Sequence, residues 1–155
     1  METRVLQVEN LPMLGEEDRL ATHLAESTEG SDMIAVASTA VSKVEGRIRP
    51  LEEYEPSDRA RELAERLSDE EERKDPRFAQ AVLEESVELL IEEPFMLAVT
   101  PFGHVAPNAG IDRSNVEGDD TVLLLPRAPT ESAERLHDEL DTPVVVTDTC
   151  GRAFR

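Results

Sequence analysis

The sequence is poor in cysteine and lysine and has no long apolar segment. Cys150 is the single cysteine, so the chain cannot form an internal disulfide. No stretch approaches the roughly 18 apolar residues of a membrane span, and the first residues contain no apolar segment of the kind found in secretory signals. These features predict a cytoplasmic protein with no membrane partner.

Positive charge is also scarce. The chain has 35 acidic and 16 basic residues, a formal net charge of −19, which repels the phosphates of nucleic acids and anionic membranes. We therefore expect no nucleic-acid partner. Fourteen of the basic residues are arginine, and the only lysines are Lys43 and Lys74. The charge balance favours a protein adapted to concentrated salt, where self-repulsion is screened; the alternative is an acidic mesophilic protein from a GC-rich genome.

The 155 residues correspond to one domain by length. Period-two patterns and apolar runs predict strands at residues 4–9, 33–39, 121–125 and 143–147, with a hairpin formed by residues 95–100 and 103–106. Period-3.6 patterns and capping residues predict helices at residues 17–26, 57–67, 76–93 and 130–140. Strands that alternate with helices indicate an α/β fold of mixed α+β layers.

A polar segment begins at the carboxyl end of the predicted strand at residues 33–39 and continues beyond it. The segment from Ser38 to Lys43 carries hydroxyl groups and one ammonium group, which together with backbone N–H groups can bind phosphate. The segment lacks the glycines of a P-loop. A lone lysine is usually only solvated, but Arg47 and Arg49 form a local basic island with Lys43 and favour the phosphate interpretation.

A second polar segment, Thr147-Asp148-Thr149, follows the strand at residues 143–147. A carboxylate beside hydroxyls at the carboxyl end of a strand suits Mg²⁺ or Mn²⁺. The alternative is an Asx turn in which Asp148 bonds its own backbone, and the pattern alone favours that turn.

The third polar segment runs from Asn108 to Asn115 and combines carboxylate, guanidinium, hydroxyl and amide groups in eight residues. Such a composition is typical of functional loops. Equally, Asp112 or Ser114 could simply cap a short helical turn. The three histidines form no zinc pattern, and Cys150 has no partner typical of a catalytic nucleophile.

These segments together resemble the coenzyme F420-0:L-glutamate ligases, also called gamma-glutamyl ligases. The similarity lies in five pieces that occur in the family's order and spacing: Val8-Glu9-Asn10-Leu11-Pro12, Ser42-Lys43-Val44-Glu45-Gly46-Arg47, Glu55-Pro56-Ser57 with the helix after it, Asn108 to Asn115, and Thr147-Asp148-Thr149-x-Gly151-Arg152.

The resemblance implies a GTP-dependent ligase that joins L-glutamate to coenzyme F420-0 through an acyl phosphate. It further implies two divalent sites for Mg²⁺ or Mn²⁺, assistance by K⁺, and a homodimer. Because this coenzyme is used by haloarchaea among others, the acidic composition points to a haloarchaeal member.

The resemblance also implies roles for individual positions, although it assigns no catalytic residue. The expected metal ligands are Asp112 and Asp148 for one ion and Thr149 for a second. The expected GTP contacts are Leu11, Pro12, Met13, Leu14, Ser38, Thr39, Lys43 and Asn115.

Family members continue beyond the Thr-Asp-Thr-x-Gly-Arg motif. We therefore expect residues 1–155 to be the N-terminal portion of a gamma-glutamyl ligase domain, without the C-terminal remainder and poorly active alone. The alternative is a non-catalytic nucleotide- or metal-binding half-domain that works with a separate second half.

The charge composition predicts that folding depends on salt. Between about 0.1 M and 1 M salt the Debye length falls from about 10 Å to about 3 Å, so repulsion among the acidic side chains weakens. We expect the melting temperature to rise with KCl concentration when thermal unfolding is followed by circular dichroism. A melting temperature indifferent to KCl would remove the salt-adaptation interpretation.

Overall fold

The computed structural model describes residues 4–28, 30, 33–68, 74–113, 118 and 120–148. The described chain forms a mixture of helices and small sheets, as the sequence predicts, and divides into two compact units. The first unit combines the residues up to 46 with Ala128–Asp148, and the second contains Arg47–Arg127.

The first unit is built on two parallel strands. Its elements in chain order are α1 (Leu20–Thr28), β1 (Ile34–Ala37), α2 (Ser38–Val44), α5 (Pro129–Leu140) and β7 (Val144–Thr147). Strands β1 and β7 pair from Ile34↔Val144 to Ala37↔Thr147. The core consists of aliphatic side chains from the three helices and from β1, namely Leu20, Ala21, Leu24, Ile34, Val36, Val41 and Leu136.

The second unit contains the remaining elements. They are β2 (Ile48–Pro50), α3 (Asp58–Leu67), α4 (Pro76–Glu84), β3 (Glu88–Ile91), β4 (Leu97–Val99), β5 (Val105–Pro107) and β6 (Thr121–Leu123). Strands β2 and β6 form an antiparallel pair, and β3-β4-β5 form an antiparallel sheet. The core between the helices and the sheets includes Leu51, Leu63, Val82, Ala98 and Val122.

The capping residues set two helix starts as predicted. The side chain of Ser57 accepts a hydrogen bond from the Ala60 N–H, and the side chain of Asp75 accepts one from the Arg77 N–H before Pro76 begins α4. The predicted hairpin is confirmed in β4 and β5. Helix α5 begins at Pro129 with Ala128 at the capping position, so the predicted cap at Thr130 is wrong by two residues.

Two predicted elements are wrong. Residues 4–9 form no strand, and Val5 is 92% exposed, because a strand needs a paired neighbour and no ladder of the described residues includes this segment. The predicted helix to residue 93 ends at Glu84, and residues 88–91 form β3. The apolar run at residues 88–91 fits both the helical period of 3.6 residues and the strand period of two. Pairing with β4 makes it a strand.

Strand β7 is also less buried than its valine run predicts. Val144 and Val146 pack against the core of the first unit, whereas Val145 is 44% exposed. The two-stranded sheet is covered on one face only, so the side chains of β7 alternate between the core and the solvent.

A glycine fixes the chain after β5. Gly110 has φ +72°, and a Cβ atom there would lie 2.3 Å from Cδ1 and 2.7 Å from Cγ of Leu125. Gly103, in the turn between β4 and β5, has φ +82°, and apart from its two chain neighbours no other atom of the described residues lies within 4 Å of the place that a Cβ atom would take there.

These two glycines provide a matched test. Gly103→Ala adds only backbone strain, of about 1–3 kcal/mol. Gly110→Ala adds the same strain and a collision with Leu125, so we expect it to cost a further 1–3 kcal/mol or so. Urea unfolding of both variants measures the difference, and equal losses of unfolding free energy would contradict the packing argument.

Candidate functional site

The paired ends of β1 and β7 bring two polar segments together. The strands are parallel and end at the pair Ala37↔Thr147, so Ser38 and Asp148 leave the sheet side by side. The Ser38 hydroxyl donates a hydrogen bond of 3.0 Å to Oδ1 of Asp148. Thus the candidate phosphate segment and the candidate metal segment, 110 residues apart in the sequence, meet at one edge.

Helix α2 carries the rest of the candidate phosphate segment. Ser38 and Thr39 are its first two residues instead of the end of β1, which corrects the predicted strand boundary. Lys43 lies in its last turn and is half-buried. One short helix therefore holds the two hydroxyls and the ammonium group.

Ser42 is an unusual member of this helix. Its side chain is 1% exposed, and its Oγ has no hydrogen-bond partner among the residues that the structure describes. It lies four positions after Ser38, so the two hydroxyls share one face of α2. A buried hydroxyl without a partner is costly, and such a group often indicates an additional ligand or water.

The segment from Leu11 to Leu14 lies between a residue of left-handed conformation and a hydrogen-bonded turn. Asn10 before it has φ +60°. After it, Asp18 accepts a hydrogen bond of 2.8 Å from the Gly15 N–H and lies 3.2 Å from Nε2 of His23. The Gly15 bond first, and His23 second, lower the pKa of the Asp18 carboxyl. Leu14 packs against the core, whereas Leu11, Pro12 and Met13 are exposed.

Asp112 lies in the second unit. It follows a turn in which Asn108, Ala109 and Gly110 all have positive φ. Its N–H donates to the Leu123 carbonyl at 2.9 Å, and its carbonyl accepts from the Leu123 N–H at 2.8 Å. The backbone of Asp112 is therefore fixed beside β6, and its side chain is half-buried.

The remaining predicted site residues, Asn115 and Thr149, lie outside the described residues. Of the predicted set, the structure joins Ser38 with Asp148 directly and places Thr39 and Lys43 on the same helix as Ser38. Within the described part of the chain, no three histidine, cysteine, aspartate or glutamate side chains are grouped closely enough to hold a metal ion.

The prediction that Arg47 belongs to a basic island available to phosphate is wrong. Its guanidinium is buried in the second unit, where Nε donates to the Leu125 carbonyl at 2.9 Å and Nη2 lies 2.5 Å from Oε2 of Glu85. The charge of Glu85 also acts on the nearby Tyr54 hydroxyl, whose pKa is raised by burial first and by this charge second. Arg47 is therefore a structural residue, and no local sequence pattern pairs it with Glu85, 38 positions away.

Comparisons with known proteins bear on this site. A family model described as F420-0:Gamma-glutamyl ligase matches residues 9–155. The chain belongs to this family. A coenzyme F420:L-glutamate ligase of Natronomonas pharaonis is 59% identical over 153 residues, which cover 97% of this chain and 60% of the relative. The protein of the same name from Halobacterium salinarum is 52% identical over 153 residues, or 96% of this chain and 60% of the relative.

A more distant member extends the comparison beyond haloarchaea. The coenzyme F420:L-glutamate ligase of Archaeoglobus fulgidus is 45% identical over 163 aligned positions, which cover 100% of this chain and 63% of the relative. The chain thus spans about 60% of the length of the curated relatives that it matches. The family membership expected from the motifs is confirmed. Among the described residues, no helix combines the length and the apolar character needed to cross a membrane.

The buried hydroxyls of the first unit provide a test of this geometry. We expect Ser42→Ala to leave the free energy of unfolding unchanged or to raise it, by up to about 1–3 kcal/mol, because it removes an unsatisfied group. Ser132→Ala is the control, since the Ser132 hydroxyl contacts the Glu45 carboxylate and the Ala128 carbonyl oxygen, and its loss should destabilise by about 1 kcal/mol. Destabilisation of the same size by Ser42→Ala would mean that its hydroxyl has a partner.

Proposed function

We propose that the protein is a GTP-dependent ligase that adds L-glutamate to coenzyme F420-0. The observation that carries the proposal is the Ser38–Asp148 contact at the end of β1 and β7, in a chain that belongs to the gamma-glutamyl ligase family. The relatives described above are all named coenzyme F420:L-glutamate ligase. A hydroxyl and a carboxylate at one strand edge, with a lysine in the helix that follows, suit phosphoryl transfer.

The proposed reaction has two steps. A carboxylate oxygen of the coenzyme precursor attacks the γ-phosphorus of GTP, the bond to the β-phosphate oxygen breaks, and GDP leaves. The amine of L-glutamate then attacks the acyl carbon and loses a proton, and inorganic phosphate leaves with the C–O bonding pair. The net products are the amide, GDP and phosphate.

The chain's own groups would bind and orient the nucleotide. In the proposal Ser38, Thr39 and Lys43 contact GTP phosphates, because hydroxyl donors and an ammonium group compensate phosphate charge. The exposed residues Leu11, Pro12 and Met13, together with Leu14 and Asn115, supply further GTP contacts. The assignment is supported by the Ser42 hydroxyl, a further polar group of the same helix that is buried without a hydrogen-bond partner among the described residues.

The donor chemistry also fits hard cations. Asp148 offers carboxylate oxygens beside the Ser38 hydroxyl, and Mg²⁺ and Mn²⁺ favour oxygen ligands. In the proposal Asp112 and Asp148 are divalent-ion ligands, Thr149 is a ligand in a second divalent site, and K⁺ assists. When bound, such ions neutralise charge on the transferring phosphoryl group. The proposed assembly is a homodimer.

The proposal predicts nucleotide turnover. Assayed in its full-length context in concentrated KCl, the protein with GTP, Mn²⁺, L-glutamate and coenzyme F420-0 should release GDP and form a glutamylated product, both measurable by liquid chromatography. Omission of L-glutamate should abolish the product. Absence of GDP release from the complete mixture would contradict the proposed function.

Two substitutions test the metal assignment within this prediction. Asp112→Asn and Asp148→Asn each remove one negative charge without a change in volume, so they should weaken Mn²⁺ binding while the fold is kept. Asp138→Asn, on an exposed position of α5, makes the same charge change and should bind Mn²⁺ as the unsubstituted protein does. If all three variants bind equally, the metal assignment is wrong.

A further inference from the structure

The glutamate that directly follows helix α2, Glu45, contacts two residues of helix α5. Glu45 follows α2, and its Oε1 accepts hydrogen bonds from the Ser132 hydroxyl and from Nη2 of Arg135, the latter at 2.8 Å. Nη2 of Arg135 also donates to the Ser132 hydroxyl at 3.0 Å. We call Glu45, Ser132 and Arg135 the α5 clamp. Its three side chains all contact one another.

We propose that Glu45, through the α5 clamp, is a positioning residue that holds Lys43 in place for nucleotide phosphates. The inference rests on the proposed function, because it assumes that Lys43 contacts GTP. Glu45 itself is not assigned to the reacting groups, since its carboxylate contacts α5. Its effect would reach the nucleotide through the last turn of α2.

The backbone links Glu45 closely to Lys43. The Glu45 N–H donates to the Val41 carbonyl at 3.0 Å, and the Gly46 N–H donates to the Lys43 carbonyl at 3.1 Å. Lys43 therefore lies within the hydrogen-bonded turn that Glu45 ends. A change in the backbone at Glu45 would move that turn, and with it the Cα atom from which the Lys43 side chain extends.

The clamp completes the attachment of α2 to one continuous segment. Ser38 at the start of α2 bonds Asp148, which follows β7. Glu45 after the end of α2 bonds the helix that precedes β7. Both ends of α2 are thus attached to the α5–β7 segment. Two separate contacts therefore fix the positions of Ser38 and Lys43 relative to Asp148.

Gly46 lies beside the Glu16 side chain at the same end of the helix. It has φ +63°, and a Cβ atom there would lie 2.5 Å from Cδ of Glu16. The chain leaves α2 in close contact with the Glu16 side chain.

Burial separates the Glu45–Ser132 contact from an ordinary surface ion pair. Ser132 is 3% exposed and the Glu45 side chain is 20% exposed, whereas the Arg135 side chain is 59% exposed. The neighbouring pair Arg19–Glu139, also involving α5, has side chains 75% and 42% exposed. Exposed pairs of that kind have little effect on structure. Glu139 is consequently a matched control for Glu45, with the same side chain bonded to an arginine.

A double-mutant cycle tests the inference. We expect Glu45→Ala to weaken GTP binding about tenfold, within the range that coupled residues show, and Glu139→Ala to leave it unchanged. With Lys43 already replaced by Met, Glu45→Ala should have little further effect on GTP affinity. A purely structural role would lower the melting temperature but would leave the effects of the two substitutions on affinity additive. The measurements are calorimetric titration with GTP and Mn²⁺ in concentrated KCl, and thermal unfolding of each variant.

Ser132→Ala is a second, milder variant should Glu45→Ala fail to fold, because it removes one donor to Glu45 and keeps Arg135. It should weaken GTP binding in the same coupled manner. Unchanged affinity in both clamp variants, or additive effects with Lys43→Met, would overturn the inference while leaving the proposed function in place. Absence of GTP binding by the unsubstituted protein, or an effect of Lys43→Met no larger than that of Glu139→Ala, would instead overturn the role of Lys43 and the inference with it.

Discussion

The parallel pairing of β1 with β7 holds the candidate site together. Four residues of each strand are aligned, and the last pair, Ala37↔Thr147, sets Ser38 next to Asp148. A register slip of one residue would turn Val144 and Val146 away from the core, so the burial of these valines also fixes the position of the carboxylate. The hydrophobic core of the first unit thereby controls a polar contact at the edge of its sheet.

The second unit positions its own carboxylate by different means. Asp112 is held through its backbone, by two hydrogen bonds to Leu123, after three residues of positive φ. The contact between Gly110 and Leu125 allows the turn to approach the segment after β6. The same segment accepts the bond from buried Arg47, whose charge is balanced by Glu85. Removal of the Glu85 carboxylate would leave the buried Arg47 charge without its ionic partner.

The sequence predicts local elements well where the signal is local. Ser57 and the Asp75-Pro76 pair begin helices as their capping chemistry dictates, and the residues around Pro101 form the predicted hairpin. It fails at residues 4–9 and 88–91, where an apolar pattern needs a partner strand to become one element or another. Pairing partners are set by tertiary packing, which a single sequence does not encode in any short pattern.

The same limit applies to the candidate site. Strand ends with hydroxyls and carboxylates could be recognised from their residues, so Ser38, Lys43 and Asp148 were accessible to sequence reasoning. Their meeting at one edge depends on the β1–β7 pair, which sequence patterns did not specify. Glu45 has partners 87 and 90 positions away, and no spacing rule connects such residues. Long-range side-chain contacts are therefore the part of the site that only the structure supplies.

The division of the first unit into two stretches of chain has a consequence for biosynthesis. Strand β1 emerges from the ribosome more than a hundred residues before β7, its partner in the sheet. During that interval the whole of Arg47–Arg127 is synthesised and can collapse on its own core, since compact segments fold as they emerge. The edge of β1 stays unpaired until late in translation, and unpaired edges associate with other chains. The first unit of the nascent protein can therefore associate with other chains for a long interval, which ends only when residues 144–147 join the sheet.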